Sequence, residues 1–325
     1  MKEEKASTSL KTFVSILLVL GTSSWAWARK PASATTPAAK QTPAESIEES
    51  LISGNIAISE WFDGVAEGLD LFLAGRQYTS KKNPTSATIS SAFYYNEKNH
   101  YSDATSFNLN LRLPNVEEYW MITFTSYDET KERGVSQTYL RQTPREQDYG
   151  ATLGFFQKLG DVRTSFQPHI SFAGSFKISN SLTFESVAER GKNYRVNPKL
   201  QFYADADKGT GIFQAFNFNF LLTKIFTLTF INEGDYEDRT HLYTVTNGVA
   251  LGQWFNKTAN ISYNFFVISE NKPSYRMTGF SLSTSWSQTL YKNMLSYQLI
   301  PGLGFNTDDN YRGIPGMTLI LDLQF

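Results

Sequence analysis

The chain has 325 residues, of which 15% are aromatic, yet its mean hydropathy is negative. Thirty basic side chains against 31 acidic ones leave a formal net charge of −1 and give no electrostatic footprint for nucleic acid. The absence of cysteine excludes a lipid-anchored N-terminus, a disulfide framework and any thiolate metal site.

The first 28 residues read as an export signal. Lys2, Lys5 and Lys11 precede an apolar run from Phe13 to Leu20, and Ala26-Trp27-Ala28 has the small-residue spacing of a cleavage site. The run is shorter than the ~20 residues a spanning helix needs. Residues 29–44, with Pro31, Pro37 and Pro43 among Ala, Thr and Ser, read as a linker. Residues 45–84 read as an N-terminal helical segment. Ile47, Leu51, Ile58, Phe62, Val65 and Leu69 recur at helical spacing, and Glu45, Glu48 and Glu49 load the first turn with negative charge. Gly54-Asn55 interrupts the stripe. This segment is expected to cover or plug the domain that follows, or to dock a periplasmic partner through residues 45–68.

From residue 85 to 325 the pattern changes to period two, which turns alternate side chains to opposite faces of a strand. Apolar faces are carried by Ile89, Phe93 and Tyr95; by Phe107, Leu109, Leu111 and Leu113; by Trp120, Ile122 and Phe124; and by Tyr149, Ala151, Leu153 and Phe155. Phe166, Ile170, Phe172 and Phe176 follow as a fifth strand, and Leu182 with Phe184 and Leu200 with Phe202 as two weaker ones. Later strands centre on Phe218, Leu228, Val245, Phe265, Leu282 and Tyr297. The last runs from Met317 to Phe325. The total is fourteen, with twelve as the alternative where residues 163–204 are ambiguous. Short connections such as 159–161 and 256–258 alternate with charged ones at 128–147, 204–210, 232–240, 269–276 and 306–314. That alternation suits short turns at one rim and long loops at the other.

Signal peptide, half-apolar strands and an aromatic C-terminal residue together resemble the outer-membrane β-barrels of Gram-negative bacteria, as a class and not one family within it. The resemblance implies an all-β, antiparallel up-and-down barrel placed in the outer membrane, in contact with its lipid and lipopolysaccharide. It also implies that the barrel assembly machinery reads the final strand through Leu321, Leu323 and Phe325. A soluble β-sandwich is the competing fold.

The face opposite the apolar one is mainly Ser, Thr, Asn and Gln, with Arg112, Lys158, His169, Glu185, Lys199 and Asp322 among them. These six are the expected pore-lining residues. Fourteen strands lie between barrels filled by their own side chains and those with a wide water channel, so a narrow, weakly selective pore for small hydrophilic solutes is expected. Loop 128–147, carrying Lys131, Glu132, Arg133, Arg141, Arg145 and Glu146, is long enough to fold inward as a constriction. The alternative is a non-conducting barrel plugged by its N-terminal helix. An enzyme is weighed on His169-Ile170-Ser171, which matches the first and third positions of the His-x-Ser-Asn-Gly motif of outer-membrane phospholipase A. Phe172-Ala173 departs from that motif, and the alternation turns His169 and Ser171 away from lipid. His100 and His241 lack metal-ligand spacing, and no cofactor motif is present.

Overall fold

The computed structural model describes Ser59 and residues 85–112, 120–127, 132–140, 147–172, 176–186, 188–189, 193–206, 208–290 and 294–325. The expected export signal, linker and N-terminal helical segment lie outside the described residues apart from Ser59, as do Lys131, Arg141, Arg145 and Glu146. The barrel falls within the second of two compact units, residues 66–324.

Fifteen strands form one antiparallel sheet. They are β1 (Ser86–Asn96), β2 (His100–Arg112), β3 (Trp120–Thr125), β4 (Tyr149–Leu159), β5 (Val162–Phe172), β6 (Phe176–Ser186), β7 (Ala188–Glu189), β8 (Tyr194–Asp205), β9 (Gly209–Leu221), β10 (Phe226–Glu237), β11 (Leu242–Trp254), β12 (Ala259–Glu270), β13 (Arg276–Thr289), β14 (Leu295–Asn306) and β15 (Ile314–Gln324). Sequential neighbours pair, and the first strand pairs the last in a register running from Thr88↔Gln324 to Asn96↔Gly316. The two-residue β7 is a stub on β8, and the ring continues past it through β6–β8 pairs such as Glu185↔Lys199. The result is a closed barrel of fourteen strands with no free edge, as expected of a membrane barrel. From strand spacing and tilt it measures ~28 Å across between backbones.

The two faces separate by residue type. On β5, Phe166, Ile170 and Phe172 are exposed on the outer wall, whereas Ser165, His169 and Ser171 are buried inside. The outer wall continues with Phe202, Phe216, Phe230, Phe265 and Leu282, all exposed. An apolar exterior of this extent is costly in water and favourable in hydrocarbon.

The structure corrects the sequence reading in three places. Phe176 starts β6 and does not belong to the strand that ends at Phe172, and the two rings meet edge to face at 5.5 Å across the connection. Four of the expected long loops shrink to residues 206–208, 238–241, 271–275 and 307–313. The polar residues read there as loop extend the ladder instead, through pairs such as Asp235↔Thr244 and Glu237↔Leu242. Beyond the apolar belt the backbone pairing persists whatever the side chains, because an unpaired N–H or C=O gains nothing by leaving the ladder. Finally, the inner face is not uniformly polar. Ala92, Tyr94, Ile300 and Ile320 form a buried cluster on β1, β14 and β15, and Tyr203, Phe213 and Ala215 form another on β8 and β9.

Large inner side chains are accommodated by glycines on neighbouring strands. Phe266 pairs Gly248, where an added Cβ would collide with the phenyl ring. Tyr203 pairs Gly211 in the same way. Large-against-small pairing of this kind lets a barrel interior fill without strain.

Candidate functional site

The longest connection among the barrel strands joins β3 to β4, and it returns to the inner wall. Its base is closed by the Asp148 N–H donating to the Ser126 carbonyl at 2.9 Å. A single helical turn, α1 (Ser136–Leu140), follows residues 132–135. The first N–H groups of a helix have no partner within it and need an acceptor from elsewhere.

Glu233, on the inner face of β10 and 5% exposed, supplies that acceptor. It takes the Val135 N–H at 2.7 Å, the Ser136 N–H at 3.2 Å and the Ser136 hydroxyl. Asn217 of β9 donates its amide to the same carboxylate at 3.4 Å. A buried carboxylate is tolerable only when hydrogen bonds replace its lost water, and these do so. Gly134 lies against Glu233 with no room for a Cβ.

One residue earlier, Arg133 is 4% exposed. Its Nη1 donates to Asp235 Oδ2 at 3.0 Å, and its guanidinium carbon sits 3.4 Å from the centroid of the Tyr203 ring. The Tyr203 hydroxyl donates to the other oxygen of Asp235 at 2.8 Å, which fixes that carboxylate. Lys199 of β8 donates to the Arg133 carbonyl at 2.7 Å. Arg133 and Lys199 balance Glu233 and Asp235, so the charges are buried as matched pairs. On the other side, the Tyr139 ring lies 5.9 Å from the Phe266 ring of β12. The loop is therefore held by β8, β9 and β10 and reaches β12. A helical turn with its side chains is ~10 Å wide, a large share of the lumen.

The expected pore-lining residues all fall on inner-facing positions, but at different heights. The rim holding the start of β1 and the end of β15 is called the terminal rim. Arg112 and Lys158 are exposed there. Glu185 is also near that rim and meets Arg163 at 3.5 Å. Asp322 pairs Ser90 near the end of β15. Lys199 sits higher and serves the loop. His169 has no exposed surface and hydrogen-bonds Thr152 at 2.7 Å through Nδ1, not Ser171. Leu321 and Leu323 pair Ser91 and Ile89, and Phe325 follows the last strand. No cluster of three potential metal ligands occurs among the described residues.

Glu233, Asp235, Tyr203 and Arg163 were not singled out from sequence. Asn232-Glu233-Gly234-Asp235 reads as a turn, and only the ladder shows it to be a strand. Glu233 and Asp235 are spaced by two, which is the signal that places both on one face.

No protein-family model matches the chain, and no curated protein matches it. Among solved structures, the outer-membrane channel DcaP of Acinetobacter baumannii matches with 9% identity over 76% of this chain and 99% of that one, at a TM-score of 0.45. The KdgM porin in complex with disordered oligogalacturonate matches with 8% identity over 73% and 99%, at 0.38. The NanC porin matches with 6% identity over 72% and 98%, at 0.38.

Proposed function

We propose that the chain is an outer-membrane channel for passive passage of small hydrophilic solutes, narrowed by its own β3–β4 loop. The observation that carries this is the docking of that loop on the inner wall through Glu233. A loop pinned by buried, matched charges stays inside the lumen and sets its width, which is what a constriction requires. The apolar exterior supports placement in a membrane, with lipid and lipopolysaccharide against it and the terminal rim toward the periplasm. The alternating final strand, with Leu321, Leu323 and Phe325, is the segment we expect the assembly machinery to read. A lipid hydrolase is disfavoured because His169 faces inward, is fully buried and bonds Thr152.

A second reading is favoured by the inner residues Ile231, Phe266 and Ile300, which have no exposed surface. They suit a barrel closed at rest, either structural or partner-binding. Deleting residues 29–68 separates the two. A higher conductance after deletion marks a plug, unchanged steps mark a channel set by the loop, and failure to assemble marks a structural segment.

A further inference from the structure

The inner face at the terminal rim carries a charge pattern that folding alone disfavours. Lys158 and Arg163 are directly paired across the two-residue turn between β4 and β5. Like charges directly opposite on one face destabilise a ladder. Among the described residues, one carboxylate forms an ion pair with either of them. Glu185 pairs Arg163 in register, and their side chains are 42% and 58% exposed at 3.5 Å, so the pair is too open to neutralise the patch. Arg163 also lies over the inward-facing ring of Phe156 at 4.9 Å, which holds its guanidinium at the wall instead of letting it swing into solvent. Arg112 ends β2, and Arg195, one residue into β8 and paired in register with Glu189 of β7, lies at the same rim; both face inward and are exposed. Across the barrel, among the described residues, the inner positions of β11 to β14 near this rim, such as Gly252, Ser262, Ser285 and Gln298, are uncharged, and Asp322 of the adjoining β15 is an acid.

The opposite half of the lumen differs. Glu233, Asp235 and Glu237 follow one another on the inner face of β10, and Asp205 faces inward at the end of β8. The acids further in are thus met by bases, Asp235 by Arg133 and Glu237 by Lys208, with Lys199 beside them, whereas at the terminal rim Lys158 faces Arg163. Local conflicts of this kind mark functional positions.

We infer that the terminal rim is an oxyanion site, formed by Arg112, Lys158 and Arg163 with Arg195 beside them, and that the solutes the barrel engages carry several carboxylate or phosphate groups. Guanidinium forks match both oxyanions in bidentate geometry, and Lys158 adds a point charge. A low-dielectric mouth with an excess of one sign of charge concentrates counter-charged solute. Passage of that solute through the barrel rests on the channel reading, whereas its binding at the rim does not.

The test is calorimetric titration of the full, folded chain in neutral detergent with tripolyphosphate and, separately, with tricarballylate. The expected result is saturable binding that weakens as salt rises and falls about tenfold or more in Arg112→Gln/Lys158→Gln/Arg163→Gln. Binding of both probes identifies a rim that reads charge, and binding of one identifies phosphate or carboxylate as its class. No binding of either at low ionic strength overturns the inference, as does equal binding by the triple variant with heat-modifiable migration proving it folded. In a planar bilayer under a KCl gradient, the wild type should prefer chloride and the triple variant should lose that preference. A silent bilayer with probe binding retained sinks the channel reading alone, and open steps without probe binding sink the oxyanion site alone.

Discussion

Glu233 and Ser136 stand 97 positions apart, and the Glu233 carboxylate receives both the backbone N–H and the hydroxyl of Ser136. This contact converts a connection between two strands into a fixed part of the lumen wall. Replacing Glu233 with Ala leaves the N–H groups of Val135 and Ser136 buried without an acceptor, at ~1–3 kcal/mol each. The loop should leave the wall while the barrel remains. The expected readout is new protease cleavage within 128–147 with heat-modifiable migration unchanged. Glu233→Gln keeps one acceptor oxygen and should show an intermediate effect.

Asp235→Ala strands the Arg133 guanidinium, whose Nε and Nη2 have no acceptor among the described residues. Removing one partner of a buried pair costs ~3–5 kcal/mol, whereas replacing both with apolar groups is close to neutral. Loop docking should therefore fail in Asp235→Ala and recover in the double variant Arg133→Leu/Asp235→Leu. Protease protection of the loop across the four-member cycle measures the coupling. Additive losses would show that the two side chains act independently.

Gly248→Val places branched carbons where the Phe266 ring lies. Overpacking of this kind costs ~1–3 kcal/mol. Denaturant unfolding of the barrel in lipid should shift to lower midpoint, and Phe266→Leu in the same chain should restore most of it. A Gly248→Val barrel as stable as the parent would show that the wall yields freely at this point.

The turn between β1 and β2 is tied to that between β14 and β15 by Lys98, whose Nζ lies 2.8 Å from Asp309 Oδ1. The hydrogen bond it donates to the Asp309 carboxylate raises the Lys98 ammonium above its ordinary 10.5. A raised basic group contributes fully below its ordinary value and loses that contribution only as pH climbs through the raised one. Over the physiological range the pair is therefore pH-independent. Because the Lys98 side chain is exposed, Lys98→Gln should leave the unfolding midpoint unchanged at neutral pH. A clear drop would mean that the rim turns carry more of the fold than their exposure suggests.

Much of the barrel could be read from the alternation of Phe216, Phe218 and Phe220 with Asn217 and Asn219, because a lipid-facing wall imposes residue type at every second position. Fourteen strands were legible for that reason. The upper strand ends were not. Residues 232–237 place acids on the inner face but Asn232 and Gly234 on the outer one, so no apolar alternation distinguishes ladder from loop, and the ladder was hidden. The loop's inward fold was legible as a length and a charge content, but its anchor was not. Glu233 and Arg133 are 100 positions apart, and their chemistry is defined by neighbours on β8 and β9 that no local pattern joins. His169 shows the converse. The period-two rule turned it inward, while its full burial against Thr152 and Gly150 depends on packing across strands.

The most direct test of the account is single-channel conductance in a planar bilayer, comparing the refolded wild type with Glu233→Ala. A loop-narrowed channel predicts small, stable wild-type steps and clearly larger ones when Glu233 is removed. Equal conductance in the two, or silence in both from barrels proven folded by heat-modifiable migration, would contradict it.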